Sequence, residues 1–210
     1  YAGHYRIARP LVVVNYPAEV TRGRPARDLR GELGLRDDEV LFVHTGHLTE
    51  GRNIPLILEE FAAGARHHVL FVGAGDMQSL VEEAAARSPF IHRMDPVPPD
   101  EVVSVVAGAD MSLALIEILS QSYAWGSPNK LFEALAAGVP VLASDVPEVR
   151  RRLGSLAGDL VLTSPKDQLG AFLARLDRSA ALSYRKQLAP LPTWEEGIGP
   201  MVEAYQRLLA

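Results

Sequence analysis

The chain is 210 residues long, 48% apolar and 22% charged, with a formal net charge of −5 and no cysteine. That is enough apolar material for one large domain or two small ones, and it excludes disordered and collagen-like chains. Disulfide scaffolds and thiolate metal sites are excluded and a reducing compartment fits; no apolar run reaches the ~18–20 residues of a membrane span, and the acidic balance argues against a nucleic-acid groove.

The sequence opens at Tyr1 with neither an initiator Met nor the charged-then-apolar pattern of a signal peptide, so it is expected to be a piece of something longer. Leu11 to Asn15 is a short apolar extended run, closed by Tyr16-Pro17. Arg22, Arg24, Arg27, Arg30 and Arg36 then interleave with Asp28 and Glu32 and run into Asp37 and Asp38, which reads as a solvated linker and helix ahead of a phosphate-binding patch. From Glu39 a rhythm sets in. Short apolar runs (Val40–Val43, Val69–Val72, Phe90–Ile91, Met111–Ile116, Val139–Ala143, Leu160–Leu162) alternate with segments of helical period. Ile54, Ile57, Leu58 and Phe61 share one helix face. Asp76 is the expected N-cap of a helix through Leu80, Val81 and Ala84, and Pro99-Asp-Glu101 opens another carrying Val102, Val103 and Val106. Pro165–Leu176 and Trp194–Leu209 read as helices, the second with Met201, Ala204, Tyr205 and Leu208 in one stripe. Continuous aliphatic strands alternating with helices specify a doubly wound, Rossmann-like α/β sheet of about six parallel strands with helices on both faces. The expected organisation is a linker and first helix over 1–36, the Rossmann-like domain over 37–192 and a terminal helix over 193–210.

In such a sheet, ligands bind beyond the carboxyl ends of the strands. The first strand-to-helix turn, Thr45 to Asn53, offers Gly46 for close backbone approach and the cation of Arg52 beside a helix start. A polar surface loop reads equally well from that spacing. The second turn, Gly73-Ala-Gly75, is half a dinucleotide fingerprint, and a tight turn packing helix on strand is the stronger reading. The third, from Trp125 to Val141, is richer. Ser127 is the expected N-cap, Pro128 the first helical residue and Gly138 the C-terminal stop, with Asn129, Lys130 and Glu133 on one face near the free helix end. Amides and a Lys suit phosphates, and a carboxylate can accept from vicinal hydroxyls at ~1.5–3 kcal/mol per bond. The rival is a surface Lys130–Glu133 ion pair worth ~0.2–0.5 kcal/mol. Adjacent His67 and His68 point to opposite faces of an extended run, and His44, His47 and His92 stand alone in sequence, so no metal site is expected.

These residues together resemble a known family. Gly46 to Phe61 (GHLTEGRNIPLILEEF) resembles the first strand–helix unit in the donor-binding half of GT-B glycosyltransferases, most of all the retaining family 4, or group 1. Val72 to Asp76 is similar to its second turn, Ala109-Asp110 to the pair before its fourth strand, and Ser127 to Asp145 (SPNKLFEALAAGVPVLASD) to its signature helix and following strand. The resemblance covers nearly the whole chain. It implies a nucleoside diphosphate-sugar donor, with Gly46, His47, Arg52, Gly73, Ser127, Asn129, Lys130 and Glu133 as donor-binding residues. Glu133 would hold the ribose hydroxyls, Arg52 the diphosphate, amides from Ser127 to Lys130 would cap it, and the loop from Arg93 to Val97 would border the base. No metal and no other cofactor is implied, and no catalytic residue in this half. Two positions depart: Trp125 stands where the common motif has a second Glu, as in an S-P-x-K-x-x-E variant, leaving Glu117 or another group to meet the sugar, and His47 stands where Arg is usual. The implied protein is the C-terminal half of a transferase, cytoplasmic or peripheral at the inner membrane face. It would work with an acceptor-binding N-terminal domain and no nucleic acid, and the fragment alone would bind donor weakly and catalyse nothing. A GT-B sugar-nucleotide epimerase half and a non-catalytic nucleotide-binding module are the alternatives.

Overall fold

The computed structural model describes residues 10–63 and 66–209; the expectation about Tyr1 lies outside them. All six apolar runs are strands: β1 (Val40–Thr45), β2 (His67–Val72), β3 (Ile91–Met94), β4 (Met111–Ala114), β5 (Val141–Ser144) and β6 (Val161–Leu162). They form one parallel sheet in the order β3-β2-β1-β4-β5-β6. Chain direction across the sheet therefore reverses between β1 and β4, leaving a crevice at their carboxyl ends. Every residue of β1, β2, β4 and β5 is buried, as strands covered on both faces require.

The main helices are α1 (Leu29–Leu33), α2 (Ile54–Ala62), α3 (Gln78–Arg87), α4 (Val102–Ala107), α5 (Asn129–Ala136), α6 (Pro147–Leu153), α7 (Pro165–Arg175), α8 (Arg178–Lys186) and α9 (Gly199–Leu209). The predicted stripe of Ile54, Ile57, Leu58 and Phe61 is the buried face of α2, and Phe61 meets Phe42 of β1 edge-on at 5.2 Å. Leu131 and Leu135 of α5 are buried against the sheet as expected.

Helix starts differ from the sequence reading. α3 begins after Met77 with no side-chain cap, so Asp76 caps nothing. α5 begins one residue later than proposed: Pro128 holds the extended N-cap position, and Ser127 lies outside the helix. The shift lies in Pro128 itself, whose ψ of 130° is extended, so the first helical residue is Asn129. The last segment is two helices, a one-turn helix over Trp194–Gly197 with a Thr193–Glu196 capping box, then α9. The described part of 1–36 packs on the domain. Leu29 is fully buried in the core. All five arginines are engaged by protein: Arg22 on the Leu191 carbonyl, Arg24 on Asp100, Arg27 on Glu32, Arg30 on Asp110 and Arg36 on Glu39. The apolar run before Pro17 is no strand, but it is tied down. Tyr16 stacks edge-on against Phe132 of α5 at 5.6 Å, with Arg152 over both rings, and the Pro17 carbonyl accepts from Trp194.

Candidate functional site

The crevice at the switch point holds a cavity of about 260 Å³. Its walls come from four places: Thr45, Gly46, His47 and Arg52 at and after the end of β1; Val102 at the start of α4; Ala114, Leu115 and Ile116 leaving β4; and Pro128, Asn129, Lys130 and Glu133 at the head of α5. Each wall is fixed by the chain around it. Ser144, buried in β5, accepts from the Ile116 amide at 2.9 Å and donates to its carbonyl at 2.8 Å, holding the exit of β4. The Glu117 amide donates to the Gly51 carbonyl, tying that exit to the loop of Arg52. Asn15 donates to the Asn129 side chain at 3.2 Å, at the first residue of α5.

Six of the eight predicted donor-binding residues line this one cavity: Gly46, His47, Arg52, Asn129, Lys130 and Glu133. Gly73 lines an adjoining cavity of about 190 Å³ with Gly46, His47, Pro96 and Val97. Its part is steric. A Cβ on Gly73 would fall 2.0 Å from the Gly46 carbonyl oxygen, so the glycine lets the two strand-end turns lie against each other. Ser127 is exposed and lines neither cavity. Arg93 is held by Asp95 at 2.8 Å and Glu82 at 3.5 Å. Trp125 is 76% exposed, and Glu117 is also outside the lining, so among the described residues Glu133 is the cavity's one carboxylate.

The electrostatics are unusual for a surface crevice. Burial pushes the Glu133 carboxyl above its ordinary value, against the pull of a 3.3 Å hydrogen bond from Thr45 and of Lys130. Burial, then Arg52, pushes the Lys130 amine down to about 7, with Glu133 opposing. Lys130 does not pair with Glu133 as the surface-helix reading would have it; its Nζ lies 2.7 Å from Nε2 of His44. Arg52 lies over the Tyr123 ring at 5.5 Å. An anion in the cavity would meet the free amides of α5, a guanidinium and a lysine, with a carboxylate and a hydroxyl one turn deeper.

Sequence reasoning missed Thr45, His44 and Tyr123. Thr45 was visible as the last strand residue before Gly46. The partners of His44 and Tyr123 are 86 and 71 positions away, and no local spacing reports them. His67 and His68 do face opposite ways: His67 bonds the Leu173 carbonyl at 2.9 Å, while His68 Nδ1 meets His92 Nε2 at 2.9 Å. Among the described residues no group of three or more His, Asp or Glu is placed to hold a metal ion. Nor is any described helix long and apolar enough to cross a membrane.

The family model for "Glycosyl transferases group 1" matches residues 39–180. No curated protein matches the chain in sequence. Among solved structures, HepE of Anabaena in complex with UDP-glucose is 14% identical, with a TM-score of 0.63 over 92% of this chain and 57% of that one. WaaG, a glycosyltransferase involved in lipopolysaccharide biosynthesis, is 16% identical at a TM-score of 0.62, over 93% of this chain and 57% of its own. The pneumococcal O-GlcNAc transferase GtfA, in complex with UDP and GlcNAc, is 14% identical at 0.55, over 97% and 40%. At such identities the likeness shows the fold, and this chain spans only about half of each neighbour's length.

Proposed function

The chain belongs to the group 1 glycosyltransferases, and from that premise we propose that its crevice is the nucleoside diphosphate-sugar site of a retaining transferase, which this chain supplies as the donor-binding half. The observation that carries the reading is one cavity with Arg52, Lys130 and the amino end of α5 on its walls and Glu133 one turn in. That order of groups matches a diphosphate followed by a ribose. In this reading Arg52, Lys130 and the α5 amides take the diphosphate, and Glu133 with Thr45 takes the vicinal ribose hydroxyls. The adjoining cavity bordered by Pro96 and Val97 takes the base. HepE and GtfA, solved with UDP-glucose and with UDP, share the fold and motivate a uridine nucleotide as first probe.

The chemistry assigned to this half is electrostatic. Transfer leaves negative charge on the diphosphate, and fixed cations and amides aimed at it lower the barrier; removing one such donor typically costs ~3 kcal/mol, about a hundredfold in rate. With Glu133 given to the ribose, no side chain here is assigned proton transfer, and no metal is needed. In this reading the acceptor is taken by an N-terminal partner domain, and Glu117 or another group meets the sugar where Trp125 stands in place of a Glu.

The test is a thermal-shift panel of UDP, GDP, ADP, CDP and dTDP on the chain and on Glu133→Ala. A ligand at a hundred times its dissociation constant adds ~2.7 kcal/mol, several degrees for a domain of this size. One base stabilising the parent but not the variant is the expected result. Equal stabilisation of both would remove Glu133 from the site, and no shift with any nucleotide would overturn the reading for this chain.

A further inference from the structure

Lys130 has a neighbour that donor binding alone leaves without a task. Its stem passes over Gly46, where a Cβ would lie 3.5 Å from Cε, and its Nζ ends on His44. His44 is fully buried in β1 and packs on Phe71, ring centroids 5.4 Å apart. Its second nitrogen, Nδ1, is buried without a partner. Burial, with Lys130 and Arg52 nearby, holds the imidazole well below its ordinary pKa, so it is neutral and accepts through Nε2. An apolar residue would pack on Phe71 without orphaning a buried nitrogen, so packing does not explain a histidine here.

We propose that His44 is a positioning residue of the donor pocket: it accepts from Lys130 and stores the amine against β1 in the empty site, and arrival of the diphosphate draws one proton from solvent onto Lys130 Nζ. This inference rests on the donor-site reading above. The groups facing the amine are His44 from β1, His47 and Arg52 from the loop after it, and Glu133 from α5 itself; Tyr123 reaches the set through Arg52. β4 and α4 turn no titratable side chain into the cavity. With the amine at about 7 in the empty site, it is mostly unprotonated at pH 8. Negative charge within ~4–6 Å favours the ammonium, so binding pulls a proton in.

The experiment is calorimetry of UDP binding to the whole chain in two buffers of different ionisation enthalpy, at pH 8 and 9. There the nucleotide's own phosphates, whose last pKa is about 6, are fully ionised. Expected are close to one proton taken up per UDP at pH 8 and an affinity that falls about tenfold from pH 8 to 9. Lys130→Arg, charged at every pH, should abolish both effects. His44→Phe keeps the packing but cannot accept, and should move the midpoint of the pH profile of Lys130, read from its ¹³Cε shift in the empty chain, to lower pH; His44→Gln, which can accept, should bring it back. UDP binding without proton uptake, or an unmoved profile in His44→Phe, overturns the proposal while leaving the donor site standing. If no diphosphate binds, the donor-site reading fails on its own account, and the ¹³Cε titration of Lys130 in the empty chain decides instead. A midpoint near 7 that His44→Phe displaces supports the pairing, and an ordinary lysine midpoint overturns it. Should His44→Phe not fold, the ¹⁵N shift of His44 Nε2 decides: movement with the Lys130 titration supports the proposal, a stationary shift sinks it.

Discussion

Arg52 reaches the cavity already braced, its guanidinium over the ring of Tyr123 at 5.5 Å. Such a contact is worth ~0.5–1 kcal/mol where exposed, and it reduces the side-chain freedom that ligand binding would otherwise remove. Arg52→Ala should weaken UDP binding by ~1.5–3 kcal/mol, roughly 10- to 150-fold, through loss of a charge-assisted bond. Tyr123→Leu should cost only the brace, ~0.5–1 kcal/mol. Arg52→Lys should recover little, because an ammonium has neither the planar face nor the fork. Titrating UDP against the three variants at pH 7 measures this series, and an Arg52→Ala affinity equal to the parent's would place the diphosphate elsewhere. Arg52 could be picked out from sequence because a cation before a helix start has a local signature. Tyr123 could not, since its value lies wholly in a contact across the fold.

The elements that form the crevice are fastened behind it by Asp110. This carboxylate, 4% exposed at the entry of β4, accepts from Arg30 of α1 at 2.7 Å, Arg178 of α8 at 3.1 Å and the Leu41 amide of β1 at 2.9 Å. Removing one partner of a buried pair leaves uncompensated charge, so Asp110→Ala should destabilise by ~3–5 kcal/mol. UDP affinity of the molecules that remain folded should not change. Urea unfolding beside a UDP titration checks both halves, and a stable variant would mean water satisfies the two arginines. At this scale the sequence was most informative. Strand runs and the α2 stripe follow from period and β-branching, which are local, and all six strands appear where the runs lie. Helix starts were less legible. Ser127 and Asp76 each look like caps, but the helices start after Pro128, which is itself extended, and after Met77, whose amide is held on the Leu48 carbonyl where Gly75 packs against it. The arginine cluster before Glu39 was legible only in part: Arg27 and Arg36 meet Glu32 and Glu39 close by, but Asp100, Asp110 and Leu191, which hold Arg24, Arg30 and Arg22, lie far along the chain.

For the molecule as a whole, stability should depend on pH in a direction set by four bases that are buried or half-buried. His44, His68 and His92 are all held below their ordinary values, first by burial. An unfolded imidazole binds its proton near pH 6.5, so below that the unfolded state holds more protons than the folded one and stability is lost as pH falls. Lys130 acts higher up: between about 7 and its ordinary 10.5 the unfolded chain again holds the extra proton, so stability of the empty protein rises with pH by at most about 1.4 kcal/mol per unit. Glu133, raised by burial, opposes the trend, because the folded state takes its proton first as pH falls. Urea midpoints should therefore rise from pH 5 to 7 to 9, and a maximum at pH 5 would refute the assignment. Tyr205, Leu208 and Leu209 of α9 are exposed apolar residues that line neither cavity. The central claim, that the β1–β4 crevice takes the diphosphate of a sugar nucleotide, is tested most directly by amide ¹H–¹⁵N shift mapping on adding UDP. The account predicts that Gly46, His47, Asn129, Lys130 and Leu131 move first and saturate together; shifts gathered instead at the groove of Leu58, Leu80 and Phe90 between α2 and α3 would contradict it.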